Sequence, residues 1–378
     1  MLPNQLQSEL IDRGFLPPDY PGCPIRQRDW VVHDGSFEGR VVWRQPVSGV
    51  ANHWGRLWRA LRAAIPDACY HNGLGLIDYA NSAEGISFQT SDGERRRADL
   101  LVAADGYRSL VREQMTWGSE SDYAGYVLWR GNFEDSRVAD RAVIARLDER
   151  QSWLSACYDG GHSVLYMIPG AAETPGQDER RINWGIYSRP PDGLVLHEPS
   201  SIPEGSVTEA MYAQFDALLG DSLPAQIAAL IRLSPREQVS IQPIYDELAV
   251  HFSEARVMLV GDAAAVVRPH TASGATKALQ DALVFERLSR EHDDLDALLA
   301  AYGAERLENC NALVEVGRRI GRAQVEETPE WSAMSPADFA RWNEATLAGQ
   351  SLYLYEDVSN TGGEAESHAG EPDVPPGP

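Results

Sequence analysis

The sequence predicts an α/β protein in two parts: a layered sheet-and-helix domain, interrupted by a second, mainly antiparallel β-sheet, with helices towards the C-terminal end. Three observations predict it. Two short apolar runs, 100–104 (LLVAA) and 256–260 (RVMLV), each stop abruptly at an Asp beside a Gly, as strands buried on both faces of a parallel sheet do. Between them, residues 123–244 alternate aromatic with polar side chains and are broken often by Pro and Gly, the pattern of antiparallel strands. After Gly274 the apolar spacing becomes helical.

The elements follow in order. Residues 3–13 form a short helix with Leu6 and Leu10 four apart and Gly14 as its stop. Residues 16–28 are rich in Pro and Gly and are expected to be loop. Trp54, Leu57, Trp58, Leu61 and Ile65 keep a helical rhythm that Pro66 ends. Strands are expected at 75–79, 85–90 and 95–98, the last two joined by the Asp92-Gly93 turn. The middle sheet should carry one helix, near 208–219. On the helix after Gly274, the residues Ala275, Ala278, Leu279, Ala282 and Leu283 make a small apolar face. Helices continue through 296–322, with Arg318 and Arg319 expected on a solvated face. The tail from Glu356 holds acids, Gly and Pro without a basic residue, too little apolar surface to offset its ordering entropy. The expected divisions are 1–120, 121–244, 245–350 and a disordered acidic 351–378.

Composition excludes several functions. A net charge of −23 over 378 residues repels a phosphate backbone, so nucleic acid is not an expected partner. Cys23, Cys69, Cys157 and Cys310 are dispersed, without a CxxC pair, which predicts neither a disulfide framework nor a metal site. No run approaches the roughly 18 apolar residues of a membrane span, and no secretory pattern opens the sequence. The expected location is the cytoplasm.

Both Asp-Gly turns carry a chemical implication. In layered α/β folds ligands sit beyond the carboxyl ends of the strands, where an Asp meets a ribose hydroxyl and a Gly lets a ligand approach the backbone. Each Asp can equally be a plain helix cap. The second turn is the more specific, because Pro269 and a Gly274-initiated helix follow it; the amides of such a helix start are partially positive.

The segments DLLVAADGYRSLVR (99–112) and VGDAAAVVRPHTASGATKALQDAL (260–283), in this order and with their acids about 155 residues apart, resemble those of the single-component FAD-dependent aromatic hydroxylases. SDYAGYVLWRG (121–131) is similar to the 2,6-dihydroxypyridine 3-hydroxylase branch. The resemblance implies a doubly wound, Rossmann-like FAD-binding domain beside a substrate-binding sheet. It assigns cofactor contacts to Asp105, Gly106, Arg112, Gly261, Asp262, Ala263, Gly274 and Trp54, where Trp54 replaces an Arg common in relatives. Pro269 and His270 fall at the flavin edge, with His270 orienting or deprotonating the substrate; an ordinary His titrates near neutrality. Trp129, Tyr158, Tyr166 and Trp184, with Arg130, Trp153 and His162 as further candidates, line the substrate side or pack as core. The implied reaction hydroxylates an electron-rich aromatic or heteroaromatic, dihydroxypyridine-like ring with NADPH or NADH and molecular oxygen. A homodimer is among the expected assemblies, and no metal or membrane is expected.

Departures keep alternatives open. No GxGxxG loop occurs anywhere in the sequence; by resemblance Met1 falls past the first βαβ unit, and the expectation is a coding start upstream. Without that unit, two central strands would have unpaired edges. The rival readings are a truncated, non-catalytic flavoprotein-like chain that binds a small aromatic ligand or a partner chain, and a flavin oxidase or dehydrogenase on the same fold.

Overall fold

A computed structural model describes residues 1–82, 85–116, 121–171, 180–194 and 201–348; the acidic tail expected to be disordered lies outside them. The largest sheet has seven strands: β1 (Cys23–Val32), β2 (Arg40–Ala51), β7 (Asp122–Glu134), β8 (Ser152–Tyr158), β9 (Gly161–Ile168), β10 (Arg181–Ser188) and β11 (Ser240–Asp246). Their order is β11-β7-β10-β9-β8-β1-β2. Every pairing is antiparallel except β1 with β8. A hairpin sheet of β3 (Leu76–Ser82), β4 (Gly85–Thr90) and β5 (Arg95–Ala98) stands apart, and a third sheet joins β6 (Leu101–Ala103), β12 (Ser253–Glu254) and β13 (Val257–Leu259). The helices are α1 (Asn4–Asp12), α2 (Trp54–Ala63), α3 (Leu110–Thr116), α4 (Arg141–Arg150), α5 (Glu209–Ser222), α6 (Ala225–Ile231), α7 (Gly274–Glu291), α8 (Leu295–Gly321) and α9 (Pro336–Leu347).

Period-two alternation gives the seven-stranded sheet two distinct faces. One face carries Trp129, Leu165, Trp184 and Ile186 into a core closed by α4, α5 and α6 through Ile144, Phe215 and Ile227. Trp129 and Trp184 both stack on Phe215, at centroid separations of 4.6 and 5.7 Å. Gly131 is required there, since a Cβ on it would lie 2.5 Å from the Trp184 ring. The opposite face meets α8 and α9 through Trp153, Val316, Ile320 and Leu347, and through Trp30 against Trp331 and Phe339.

Several sequence expectations are corrected. Residues 23–28 are strand, not loop, and β1 and β2 place two N-terminal strands in the large sheet, so the boundary expected at residue 120 does not separate sheets. Charged side chains hid this strand: Arg28 is buried by packing its guanidinium over the rings of Trp30 and Trp153, at 3.9 and 4.6 Å, which replaces the apolar residue that a pattern search wants. Among the described residues three helices, α4, α5 and α6, and not one, close the first face of the sheet. The run 100–104 is only partly buried: Val102 is 49% exposed, because β6 has β13 on one side and no second neighbour among the described residues. On α7 the fully buried residues are Thr276, Lys277, Asp281, Val284 and Leu288. The expected small face is only partly covered, with Ala275, Leu279 and Leu283 against α1 and α2. Arg318 and Arg319 are only partly exposed. Arg318 donates to the buried Asp246 at 2.7 Å, and Arg319 donates to the carbonyls of Thr346 and Leu347, closing the end of α9.

Candidate active site

The site begins where β6 and β13 end. They run parallel, with Ala103 opposite Leu259, so the turns at Asp105-Gly106 and Gly261-Asp262 leave the same sheet edge side by side. Gly106 and Gly261 both hold positive φ, +79° and +59°, which a side chain disfavours. Arg112, from α3, ties the turns together. Its guanidinium donates to the carbonyls of Asp262 and Ala263, each at 3.0 Å, and to that of Tyr107 at 2.6 Å. Its Nε pairs with the buried Glu247 at 2.9 Å.

The second turn is clasped from below by α7. Lys277, wholly buried, donates Nζ to the Gly261 carbonyl at 3.0 Å and to the Ala265 carbonyl, and pairs with Asp262 Oδ1 at 3.2 Å. One turn further on, Asp281 Oδ2 accepts the Gly261 amide at 2.7 Å while Oδ1 accepts Arg306 Nε at 2.6 Å. Burial raises the Asp281 carboxyl pKa against the pull of Arg306. Sequence reasoning missed this clasp. Its only signal was the i, i+4 placement of Lys277 and Asp281, which put both on one helix face.

Two cavities flank the Pro269 loop. The first, about 280 Å³, is bordered by Tyr107, Asp262, Pro269, Ser273 and Gly274 among others. Residues here fit the ring end of a flavin. Ser273 makes no side-chain cap to α7, so the helix start keeps amides for an anionic edge, and a Cβ on Gly274 or Gly106 would meet nothing within 4 Å. The second cavity, about 180 Å³, lies over the large sheet and is bordered by Arg28, Trp153, His162, Tyr166, Tyr187 and His270. Pro269 and Ala272 border both cavities. The loop is their common wall.

His270 is buried, with its ring stacked 4.1 Å from Tyr187 and 5.5 Å from His162. Its Nε2 lies 2.7 Å from the Tyr126 hydroxyl, which also accepts Arg268 Nη1 at 3.3 Å. Arginine cannot accept, so the Tyr126 hydroxyl is the acceptor towards Arg268, and as both donor and acceptor it can serve His270 Nε2 in either imidazole tautomer. Arg268 is in turn fixed by Asp246 and Glu326, both at 2.7 Å. Burial first, then the nearby Arg268 and Arg28, depress the His270 pKa well below its ordinary value. The expectation of titration near neutrality is thereby corrected: burial weakens the His270 imidazole as a base, which favours hydrogen-bonding over proton abstraction. His162 is depressed in the same way, by burial and then Arg28.

The other candidates divide cleanly. His270, Tyr166, Trp153, His162 and Arg130 border the cavity over the sheet, Asp262 and Gly274 border the cavity across the loop, and Pro269 borders both. Ala263 is buried beneath that loop. Asp105 accepts the Val111 amide at 3.4 Å, a helix-start contact that leaves its exposed carboxylate able to meet a ligand. Trp54 is 72% exposed at the start of α2 and borders neither cavity. Trp129 and Tyr158 are separated from His270. Strand parity turns Trp129 onto α5 while Leu128 and Arg130 face the cavity, and Tyr158 borders a different hollow, beside Trp129 and Phe215. Trp184 touches the cavity, yet its ring stacks on Phe215 and its Nε1 donates to Ser234. Arg28, Tyr187 and Tyr126 were missed as site residues.

Comparison with known proteins accords with this geometry. Residues 205–316 match the family described as FAD binding domain, and residues 123–246 one described as FAD binding domain-like. These stretches are thus similar to FAD-binding-domain proteins. Within that class the dihydroxypyridine hydroxylase branch recurs. The chain is 32% identical to 2,6-dihydroxypyridine 3-monooxygenase of Paenarthrobacter nicotinovorans over 68% of this chain and 64% of the relative. The structure of 2,6-dihydroxypyridine-3-hydroxylase from Arthrobacter nicotinovorans superposes with a TM-score of 0.74 at 23% identity, covering 86% and 82% of the two chains. Aurachin C monooxygenase/isomerase of Stigmatella aurantiaca is 29% identical over 71% of this chain and 63% of the relative. The matched region therefore spans somewhat under two thirds of the length of these curated relatives. Among the described residues no helix is long and apolar enough to cross a membrane.

Proposed function

We propose that this chain acts as an FAD-dependent monooxygenase that hydroxylates an electron-rich, dihydroxypyridine-like ring, with NADPH or NADH as reductant and molecular oxygen as co-substrate. One observation carries the reading: a single loop, Pro269–Ala272, separates a cavity at the two Asp-Gly turns from an aromatic-lined cavity over the sheet. A cofactor ring on one side and a substrate ring on the other would meet across it.

The bound flavin would supply the activation of oxygen. The chain's own residues do the rest. Asp105, Asp262 and the start of α7 would hold the cofactor's ribose and ring edge, with Arg112 and Lys277 keeping the two turns in place. Trp153, Tyr166 and Tyr187 border the cavity over the sheet, and their rings can contact a planar substrate there. His270, held by Tyr126, would orient a ring hydroxyl through a hydrogen bond. A substrate filling the cavity over the sheet would displace water, which strengthens each polar contact within it.

The test is direct. Purified protein should carry, or take up, FAD with an absorbance band near ~450 nm, and under ¹⁸O₂ a dihydroxypyridine should gain one labelled oxygen while NAD(P)H is consumed. Reduction of oxygen without label in the product would indicate an oxidase. A colourless chain that binds the ring but not FAD would favour the non-catalytic alternative.

A further inference from the structure

Two neighbouring acids stand where β11 ends, and they hold different parts of the site. Glu247 pairs with Arg112, which ties the two Asp-Gly turns. Asp246, 0% exposed, turns to other partners, as adjacent residues of an extended chain do. It accepts Arg268 Nε at 2.7 Å through Oδ2 and Arg318 Nε at 2.7 Å through Oδ1. Arg268 directly precedes the Pro269–Ala272 wall, and Arg318 lies near the end of α8. The carboxylate therefore fastens the wall to the helix. The backbone beside it is zipped as well: Glu247 and Val266 exchange amide-to-carbonyl bonds at 3.0 and 3.1 Å.

The end of α8 presses on the same group. Gly321 lies so close that a Cβ there would overlap the Tyr126 hydroxyl and stand 2.7 Å from Arg268 Nη1. That Nη1 is itself held by Glu326 at 2.7 Å, from the π-helical turn (Arg322–Glu326) that continues α8; such turns are frequent at functional sites. Tyr126 in turn carries the hydrogen bond to His270 Nε2. We infer that Asp246 and Gly321 are positioning residues: they border neither cavity, yet through Arg268 and Tyr126 they set where His270 and the Pro269 wall stand. A buried carboxylate shared by two guanidiniums contributes little net stability, since desolvation offsets most of the attraction. What it fixes is the place of its partners. Glycine inside a helix is less favourable than alanine, so its presence at 321 answers to the contact and not to the helix. The consequence for reaction rests on the reading of the two cavities as cofactor and substrate sites.

Gly321→Ala tests this, because it removes no polar group and alanine suits the helix. Asp246→Asn is the second variant; it keeps the shape but turns one acceptor into a donor facing a guanidinium. The readout is the imidazole ¹⁵N spectrum of the full 378-residue chain, with His270 identified by the loss of its signals in His270→Gln. In both variants the His270 signals should move, while those of the exposed His33 and His71 stay in place. Where the wild type hydroxylates a ring, kcat should fall at least about tenfold with KM for the ring within about twofold, since misplacing a group costs rate more than binding. Unmoved His270 signals in folded Gly321→Ala overturn the inference, even if the urea midpoint falls, because a residue that only braces the fold leaves the imidazole where it was. An unchanged kcat in a variant whose His270 signals have moved overturns it too. Should Asp246→Asn fail to fold, Gly321→Ala decides alone. The enzymatic reading fails separately: an inert wild type in which Gly321→Ala still shifts His270 refutes the hydroxylation and leaves the positioning standing.

Discussion

Replacing Lys277 by Met probes the clasp on which the cofactor-side turn depends. The wild-type ammonium serves two buried carbonyls, those of Gly261 and Ala265, and pairs with Asp262, whose side chain is half-exposed. Methionine fills similar volume but donates nothing, and Lys277 is the chain's single lysine. Hydrogen bonds from a charged donor contribute about 1.5–3 kcal/mol each, and a stranded buried carbonyl costs about 1–3 kcal/mol. The ion pair adds little, because water screens the Asp262 side. Removing a buried ammonium also recovers its desolvation cost, which offsets part of the loss. The net expectation is a destabilisation of about 3 kcal/mol. It would be read as a lower urea midpoint at unchanged slope, with tryptophan fluorescence and far-ultraviolet circular dichroism coinciding. Flavin affinity should fall as well, since the Gly261 and Asp262 backbone loses its anchor. A loss under about 0.5 kcal/mol with undiminished flavin binding would refute the reasoning, and would mean that Asp281 and Arg306 hold the turn unaided.

Other outcomes follow from the same geometry. Tyr126→Phe removes the hydroxyl bonded to His270 Nε2 and should cost about 1–2 kcal/mol; the imidazole ¹⁵N shifts of His270 should move, and unchanged shifts would contradict the contact. His162 and His270 have depressed pKa values in the folded chain, so the unfolded chain binds their protons first. Stability should be unaffected by these groups above the unfolded value near ~6.5 and fall by about 2 kcal/mol for the pair between pH ~6.5 and ~5.5. A His162→Gln, His270→Gln double variant should flatten that slope in urea titrations, and an equally steep slope would sink the claim. Trp129→Ala should cost about 3–5 kcal/mol, as large-to-small changes in a packed core do, whereas Trp54→Ala should stay within about 0.5 kcal/mol because the side chain is exposed. Thermal denaturation of both variants separates core from surface.

Local pattern alone carried much of this molecule. The apolar runs ending at Asp105 and Asp262, the helical rhythms of α1, α2 and α7, and the three hairpin strands were all legible, because each depends on neighbours within a few residues. The pairing of the two acid-tipped turns was also anticipated, through motif order and not through contact. What the sequence withheld depends on partners far along the chain. Arg28 reads as a loop or surface residue until Trp153, 125 positions later by numbering, stacks on it. Trp129 and Arg130 look equally eligible for a pocket until the sheet's register turns one onto α5 and the other onto the cavity. Lys277 looks like an incidental basic residue until burial removes water and leaves it the carbonyls of the turn. The acidity of the whole chain likewise hides a cavity over the sheet that, among the described residues, is bordered by Arg28 and Arg130 and by no acid, since composition sums over positions and only the fold decides which of them share a space.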